Sequence, residues 1–244
     1  MRAVITAGGR ITGEYAARAG TDVKALAAVR GATMLDRCID ALRGAGATEI
    51  AVVGGEAVKA ACEGRVERTI DEAPTGTENL VKAMRAWPDD GASLIYATSD
   101  MPYVSAQTVG DFLERAPRDH VAMPLAEMAE FDARFPGAPP CGIVLNGEHV
   151  VNGDVFYIPG GCIERVQSIA SRFFEARKHP WQMASLVSPR LMVRFLFKRL
   201  GVGHIEEHAR KVLGVSAVAV RRCAPELALD ADTLADYDYA CANP

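Results

Sequence analysis

Short apolar runs alternate with stretches of helical period through the first half of the chain. Arg2 to Thr6 has the continuous apolarity of a strand covered on both faces, and Ala7-Gly8-Gly9 stops it. Thr33 to Arg43 carries Met34, Ile39, Ala41 and Leu42 at helical spacing ahead of Gly44 and Gly46, which predicts the first clear helix. Glu49 to Val53 is a second strand, broken by Gly54-Gly55, and a short helix follows over Glu56 to Cys62. Val66 to Ile70 reads as a third strand, and Thr77 to Trp87 as a helix stopped by Pro88. Ser93 to Thr98 is a fourth strand, and Ser105 caps a helix that runs to about Arg115. Strand and helix alternating at this pitch predict an α/β fold, a mostly parallel sheet with helices on both faces.

The rhythm changes after His120. Val121 to Met123 is a further strand, whereas Phe131 to Pro140, rich in Pro and Gly, reads as an irregular loop. Gly142 to Leu145, Val150-Val151 and Asp154 to Ile158 read as strands separated by Asn-Gly turns. Helices are predicted over Gly160 to Lys178, Pro189 to Leu200 and His204 to Leu213, then a strand over Val215 to Arg221. A last helix spans Asp232 to Ala240, with Asp232 or Thr233 near its N-cap. Without a linker or repeat, the expectation is one domain over residues 1–244, with a helical elaboration at about 160–213 laid over the sheet edge. Phe173, Phe174, Phe195 and Phe197 are assigned to the core.

Composition narrows the function classes. Hydrophobic residues make up 49% and charged residues 24%, enough for a globular core without disulfides or a structural metal. A formal net charge of −4 with interspersed signs lacks the concentrated basic field that long nucleic acid requires. The basic cluster from Arg165 to Lys211 alternates with apolar residues and reads as solvated helix faces. No apolar stretch reaches the length of a membrane span, and the N-terminal run is too short for a signal segment. Six cysteines without a C-x-x-C pair read as buried reduced thiols. The expectation is a cytoplasmic protein with neither a membrane nor long nucleic acid as partner. His204 and His208 share a helix face but lack the H-E-x-x-H glutamate, so zinc is not predicted.

Candidate chemistry begins where the first strand ends. In an open parallel sheet, ligands sit beyond the carboxyl ends of the strands, and glycines there let backbone amides approach phosphates. The glycines at 8, 9, 13 and 20 do not fit G-x-G-x-x-G, and the stretch to Thr33 reads as a long loop, which argues against a dinucleotide. Lys24 lies in that loop, where an ammonium group can offset phosphate charge; alone, it is better explained as a solvent lysine. Asp100 directly follows the fourth strand, and Mg²⁺ takes hard oxygen ligands from one or two carboxylates plus phosphates. Asp232 is the second metal candidate and Asp230 its reserve, against the plainer reading of Asp232 as a helix cap.

Taken in order, these pieces resemble a known family. Ala7-Gly8-Gly9, a loop, Lys24-Ala25-Leu26, then Val29 to Leu35 ahead of a helix are similar to the opening of the MobA-like NTP transferases. Gly76-Thr77-Glu78-Asn79 matches the family's nucleotide-contacting helix start. Thr98-Ser99-Asp100-Met101-Pro102 resembles its metal-binding Asp-x-Pro, and Asp230-Ala231-Asp232-Thr233 with Asp236-Tyr237 resembles its closing motif. The resemblance implies a three-layer Rossmann-like fold of glycosyltransferase-A type. It also implies Mg²⁺-dependent transfer of a nucleotidyl group from an NTP to a small phosphorylated acceptor, with release of pyrophosphate. Lys24 and Asp100 would be catalytic, Asp100 and Asp232 metal ligands, and Ala7, Gly8, Gly9, Lys24, Gly76, Thr77 and Asn79 would meet the nucleotide.

Thr6 stands where the family has Leu, Ala32 where it has Pro, and Arg10 and Arg18 both compete for a phosphate-binding role. These departures motivate an alternative, a catalytically inactive nucleotide-binding or regulatory module on the same fold. Asn152-Gly153-Asp154, a turn on its own residues, falls where the resemblance places an acceptor-binding loop. Arg177, Lys178 and His179 are candidates for an acceptor phosphate, against a solvated helix end. A glycosyltransferase using a nucleotide sugar ranks last, because Ser99 to Pro102 supplies no Asp-x-Asp.

Overall fold

The computed structural model describes residues 1–88, 90–176, 188–214 and 216–243. In chain order the strands are β1 (Arg2–Thr6), β2 (Ala28–Val29), β3 (Ala32–Thr33), β4 (Glu49–Gly54), β5 (Arg68–Asp71), β6 (Leu94–Thr98), β7 (Val121–Glu127), β8 (Ile143–Leu145), β9 (Glu148–Asn152), β10 (Val155–Ile158) and β11 (Ala217–Arg221). The helices are α1 (Gly13–Ala19), α2 (Met34–Gly44), α3 (Glu56–Ala61), α4 (Gly76–Met84), α5 (Ala106–Arg115), α6 (Met128–Arg134), α7 (Ile163–Ala176), α8 (Pro189–Leu196), α9 (Val202–Leu213) and α10 (Leu234–Ala242).

Among the described residues, nine strands form one mixed sheet in the order β5-β4-β1-β6-β10-β7-β9-β8, with β11 beside β7. The first four are mutually parallel; β10 is antiparallel to both neighbours, β6 and β7. β2 and β3 make a separate hairpin whose turn residues, Arg30 and Gly31, both take positive φ, at 51° and 86°.

The strands are apolar on both faces because both faces are covered. Ala3 and Ile5 point to a core shared with Leu35 and Ile39 of α2 and Val109 and Phe112 of α5. Val4 points the other way, onto Leu80 and Met84 of α4. Each such fully buried aliphatic side chain contributes on the order of 1.5–3 kcal/mol. At the closest approach of α2 and α5, a Cβ on Gly44 would lie 2.5 Å from that of Ala106, so only glycine permits that crossing. Capping boxes start four of the helices: Thr33 with Asp36, Thr75 with Glu78, Ser105 with Thr108 and Thr233 with Asp236.

Several expectations need correction. The stretch expected to be loop before Thr33 contains α1, whose Gly13 and Gly20 take φ of 60° and 68° at its two ends; the glycines bound a helix rather than exclude one. The region read as irregular from Phe131 begins inside α6, and Phe131 and Phe135 fill a core with Tyr103. Phe195 and Phe197 are 61% and 72% exposed and belong to no core; the side chains of Phe173 and Phe174 lie outside the described set. Within the helical elaboration, α7 packs against α4, and α9 against β11 and α7. Cys38, Cys62 and Cys223 are buried and Cys241 is exposed; all six cysteines are free thiols. Among the described residues no helix is long and apolar enough to cross a membrane.

Candidate active site

β1 and β6 pair in register, Thr6 opposite Thr98, so the residues that follow them emerge side by side at the carboxyl edge. This adjacency sets Gly8-Gly9 next to Asp100. Lys24 joins them because the chain doubles back after α1: Arg10 bridges Val23, the Lys24 amide donates to the Gly9 carbonyl at 3.0 Å, and a Cβ on Gly9 would meet Lys24 Cε at 3.3 Å. The C-terminal segment is tied to the same edge by backbone. The Ala231 amide donates to the Asp100 carbonyl at 3.0 Å, and the Tyr15 hydroxyl of α1 donates to the Ala231 carbonyl at 2.8 Å. Asp232 is therefore delivered to the site, and it is Thr233, not Asp232, that caps α10.

Lys24 Nζ lies 2.5 Å from both Asp100 Oδ2 and Asp232 Oδ1. Burial works against its charge, but the Asp100 charge and the hydrogen bonds to Asp100 and Asp232 outweigh it and hold the ammonium firmly protonated. Asp100, Asp230 and Asp232 offer carboxylate oxygens within 4.8 Å of one another. The remaining Asp100 oxygen, Oδ1, is buried without a hydrogen-bond partner among the described residues. Three clustered carboxylates, one of them with an unpartnered oxygen, are a donor set of the kind that hard divalent cations take, so the residues present fit Mg²⁺ or Mn²⁺.

A fourth carboxylate, Asp154, stands beside this cluster. It precedes β10, and because β10 runs antiparallel to β6 its first residues lie where β6 ends: the Asp154 carbonyl accepts from the Thr98 amide at 3.1 Å and its amide donates to Leu227 at 3.0 Å. Burial, then the charges of Asp100, Asp230 and Asp232, push its carboxyl up to about 8, with Lys24 opposing. Burial and the same neighbouring charges push Asp230 up to about 6. Among the described residues, four carboxylates meet one ammonium here; the excess negative charge helps raise Asp154 and Asp230, and a divalent cation would relieve it. The sequence alone reads Asn152-Gly153-Asp154 as a turn, which the resemblance places at an acceptor-binding loop, and not as part of the acidic cluster; the available signal was an acid leading directly into the apolar run Val155 to Ile158.

The other predicted residues divide. Ala7 is fully buried and its amide donates to Val53 at 2.8 Å, so it extends β1 rather than presenting a free donor. Asn79 is buried: its Oδ1 accepts from the Ala73 amide at 2.6 Å, and its Nδ2 lies 2.8 Å from where a Gly8 Cβ would be. It braces the glycine loop from behind. Gly76 and Thr77 form the first turn of α4 and, among the described residues, make none of the contacts that join Lys24 to the aspartates. Arg10 lies at the glycine loop, donating to the Gly8 carbonyl at 3.3 Å and pairing with Glu72. Arg18 instead pairs with Asp238 at 3.5 Å. Gly153 is packed so tightly that a Cβ would lie 2.5 Å from the Leu227 carbonyl oxygen. His204 serves α9 locally, its Nδ1 accepting from the Gly201 amide at 3.1 Å. Arg177, Lys178 and His179 lie outside the described residues.

A family model described as MobA-like NTP transferase domain matches residues 3–229. Among solved structures, a hypothetical transferase from Thermus thermophilus is 26% identical over 97% of this chain and 98% of that one, with a TM-score of 0.83. A nucleotidyl transferase from Methanothermobacter is 19% identical, covering 99% and 98% of the two chains at a TM-score of 0.57. A CMP:2-keto-3-deoxy-manno-octonic acid synthetase solved with CTP is 15% identical, covering 98% and 96% at 0.58. The last two establish a shared fold. Among curated proteins no sequence matches.

Proposed function

From the premise that the chain belongs to the MobA-like NTP transferase family and is a nucleotidyltransferase, we propose that it joins the nucleotidyl group of an NTP to a small phosphorylated acceptor. An acceptor phosphate oxygen attacks the α-phosphorus in line; the new P–O bond forms as the bond to the β-phosphate oxygen breaks, and pyrophosphate leaves with that electron pair. Two anions must meet, so the work is positioning and charge neutralisation. The observation that carries this reading is the convergence of Lys24 with Asp100, Asp230 and Asp232 beside the glycine loop.

Gly8 and Gly9 follow the last bonded residue of β1 and present backbone to the phosphates, where a side chain at Gly8 would strike Asn79 and Glu72. Lys24 offsets negative charge as it builds on the α-phosphate or the leaving group. Asp100 and Asp232, with Asp230, would hold Mg²⁺, which when bound neutralises phosphate charge. Arg10 takes the phosphate role in preference to Arg18, exchanging Glu72 for the nucleotide. The test is a coupled pyrophosphate assay with the four common NTPs, Mg²⁺ and a panel of phosphorylated alcohols. Asp100→Ala should abolish Mg²⁺-dependent pyrophosphate release while the circular dichroism spectrum is unchanged; undiminished turnover would reject the assignment.

A further inference from the structure

Beneath the acidic cluster, on the face of the sheet covered by α4, α7 and α9, lies a half-open cavity of about 410 Å³. Phe156 and Ile158 of β10 floor it, and Met84, Ile169 and Ala170 wall it. A cavity this size falls in the range of small-molecule sites. Its lining is almost entirely hydrocarbon, so an apolar occupant suits it.

The cavity meets the reaction centre at one end. Thr98 and Asp154 both line it, and they are the residues that close β6 and open β10 at the catalytic edge. Asp154 is near enough to Asp100, Asp230 and Asp232 for their charges to act on it. Thr98 Oγ1 is buried there without a hydrogen-bond partner among the described residues. A phosphate lying at the aspartates therefore sends whatever it is esterified to past Thr98 and into the hydrocarbon. A polyol in that position would lose water from its hydroxyls and find few partners.

We propose that the acceptor is an amphiphile, a phosphate monoester of a hydrocarbon alcohol, whose apolar part occupies this cavity; the proposal rests on the nucleotidyl-transfer reading above. The same lobe suits a lipid source. α8 and the turn after it expose Phe195, Leu196 and Phe197 among Arg190, Arg194, Lys198 and Arg199, the composition of a segment that settles on an anionic lipid surface. Arg194 reaches His204 Nε2 at 2.8 Å, one helical turn from His208 on the cavity wall. Such a surface would be touched, not crossed.

The experiment titrates butyl, hexyl, octyl and decyl phosphate into the full chain by calorimetry, first without NTP. Each added methylene should tighten Kd by about three- to fourfold until the cavity is filled. Ala170→Phe, which takes up part of it, should end the gradient at a shorter chain, with its thermal shift by Mg²⁺-NTP as a check of the fold. A flat series in the wild type, or an unchanged gradient in the variant, overturns the proposal. Turnover then separates the two readings. Pyrophosphate release with glycerol 3-phosphate and a flat alkyl series keeps nucleotidyl transfer and rejects the amphiphile. A graded alkyl series with no pyrophosphate from any acceptor keeps the cavity ligand and rejects transfer. Faster turnover of decyl phosphate in phosphatidylglycerol vesicles than in phosphatidylcholine vesicles supports the lipid source, and equal rates overturn it.

Discussion

Asp154 should make the metal-free protein lose stability as the pH rises, and asparagine in its place should remove that loss. The carboxyl is pushed from its ordinary 3.8 up to about 8, first by burial and then by the charges of Asp100, Asp230 and Asp232. Between those two values the folded chain keeps a proton that the unfolded chain has released. Unfolding then releases a proton, so its free energy falls as pH rises: the contribution is complete below about pH 4 and gone above about pH 8. A gap of about four units corresponds to roughly 5–6 kcal/mol as an upper bound, with a slope of at most about 1.4 kcal/mol per pH unit. Water penetration and local relaxation bring the realistic total to about 2–4 kcal/mol. Asp230, raised to about 6, adds a loss of the same sign at lower pH.

Asparagine keeps the size of the protonated acid and cannot ionise, and the backbone bonds from Thr98 and to Leu227 do not involve the side chain. Urea unfolding in EDTA at about pH 6, 7 and 8 should show the wild type losing on the order of 1 kcal/mol per pH unit more than Asp154→Asn. Saturating Mg²⁺ should flatten the wild-type curve, because a bound cation favours the ionised carboxylates. Parallel pH profiles for the two proteins in EDTA would refute the reasoning.

Other substitutions probe the remaining parts of the site. Lys24→Met should lower kcat by about 10²- to 10³-fold with little change in nucleotide affinity, checked by steady-state kinetics against calorimetric binding. Gly8→Ala places a methyl 2.8 Å from Asn79 Nδ2 and 3.1 Å from Glu72 Oε2, so the loop must shift. Thermal melts should show about 1–3 kcal/mol lost, and the nucleotide KM should rise. Tyr15→Phe removes the hydroxyl that holds Ala231. It should cost about 1 kcal/mol in denaturant unfolding and weaken Mg²⁺-dependent turnover by loosening the Asp232 segment.

How much of this was legible depended on how local each feature is. Gly8, Gly9 and Asp100 follow buried apolar runs directly, and the end of such a run is visible in the pattern itself. α1 was hidden by its own boundaries: glycines at 13 and 20 look like loop residues until their positive φ shows them closing a helix. Phe195 and Phe197 of α8 and its following turn read as core, because periodicity says only that residues lie on one side of a helix, not that anything covers them. Asp154 was least legible of all. Its place follows from β10 entering the sheet antiparallel between β6 and β7, a pairing fixed by the whole sheet rather than by residues near 154.

The Lys24–Asp232 pair brings together groups 208 positions apart. Neither residue's neighbours encode the other; only the order of elements does, because each strand that joins the sheet adds its carboxyl edge to the same crevice. The closing contacts are correspondingly indirect, through the Ala231 amide on Asp100 and the Tyr15 hydroxyl on Ala231, and no local pattern around either residue announces them. A site assembled in this way is specified by topology first and by side chains second. The family's motif order was therefore informative about Lys24, Asp100 and Asp232, whereas it carried no information about what lies beneath them. The cavity behind Asp154 depends on the volumes of Phe156, Ile169 and Ala170, which periodicity marks only as apolar, and it is there that acceptor choice can vary while the edge chemistry stays the same.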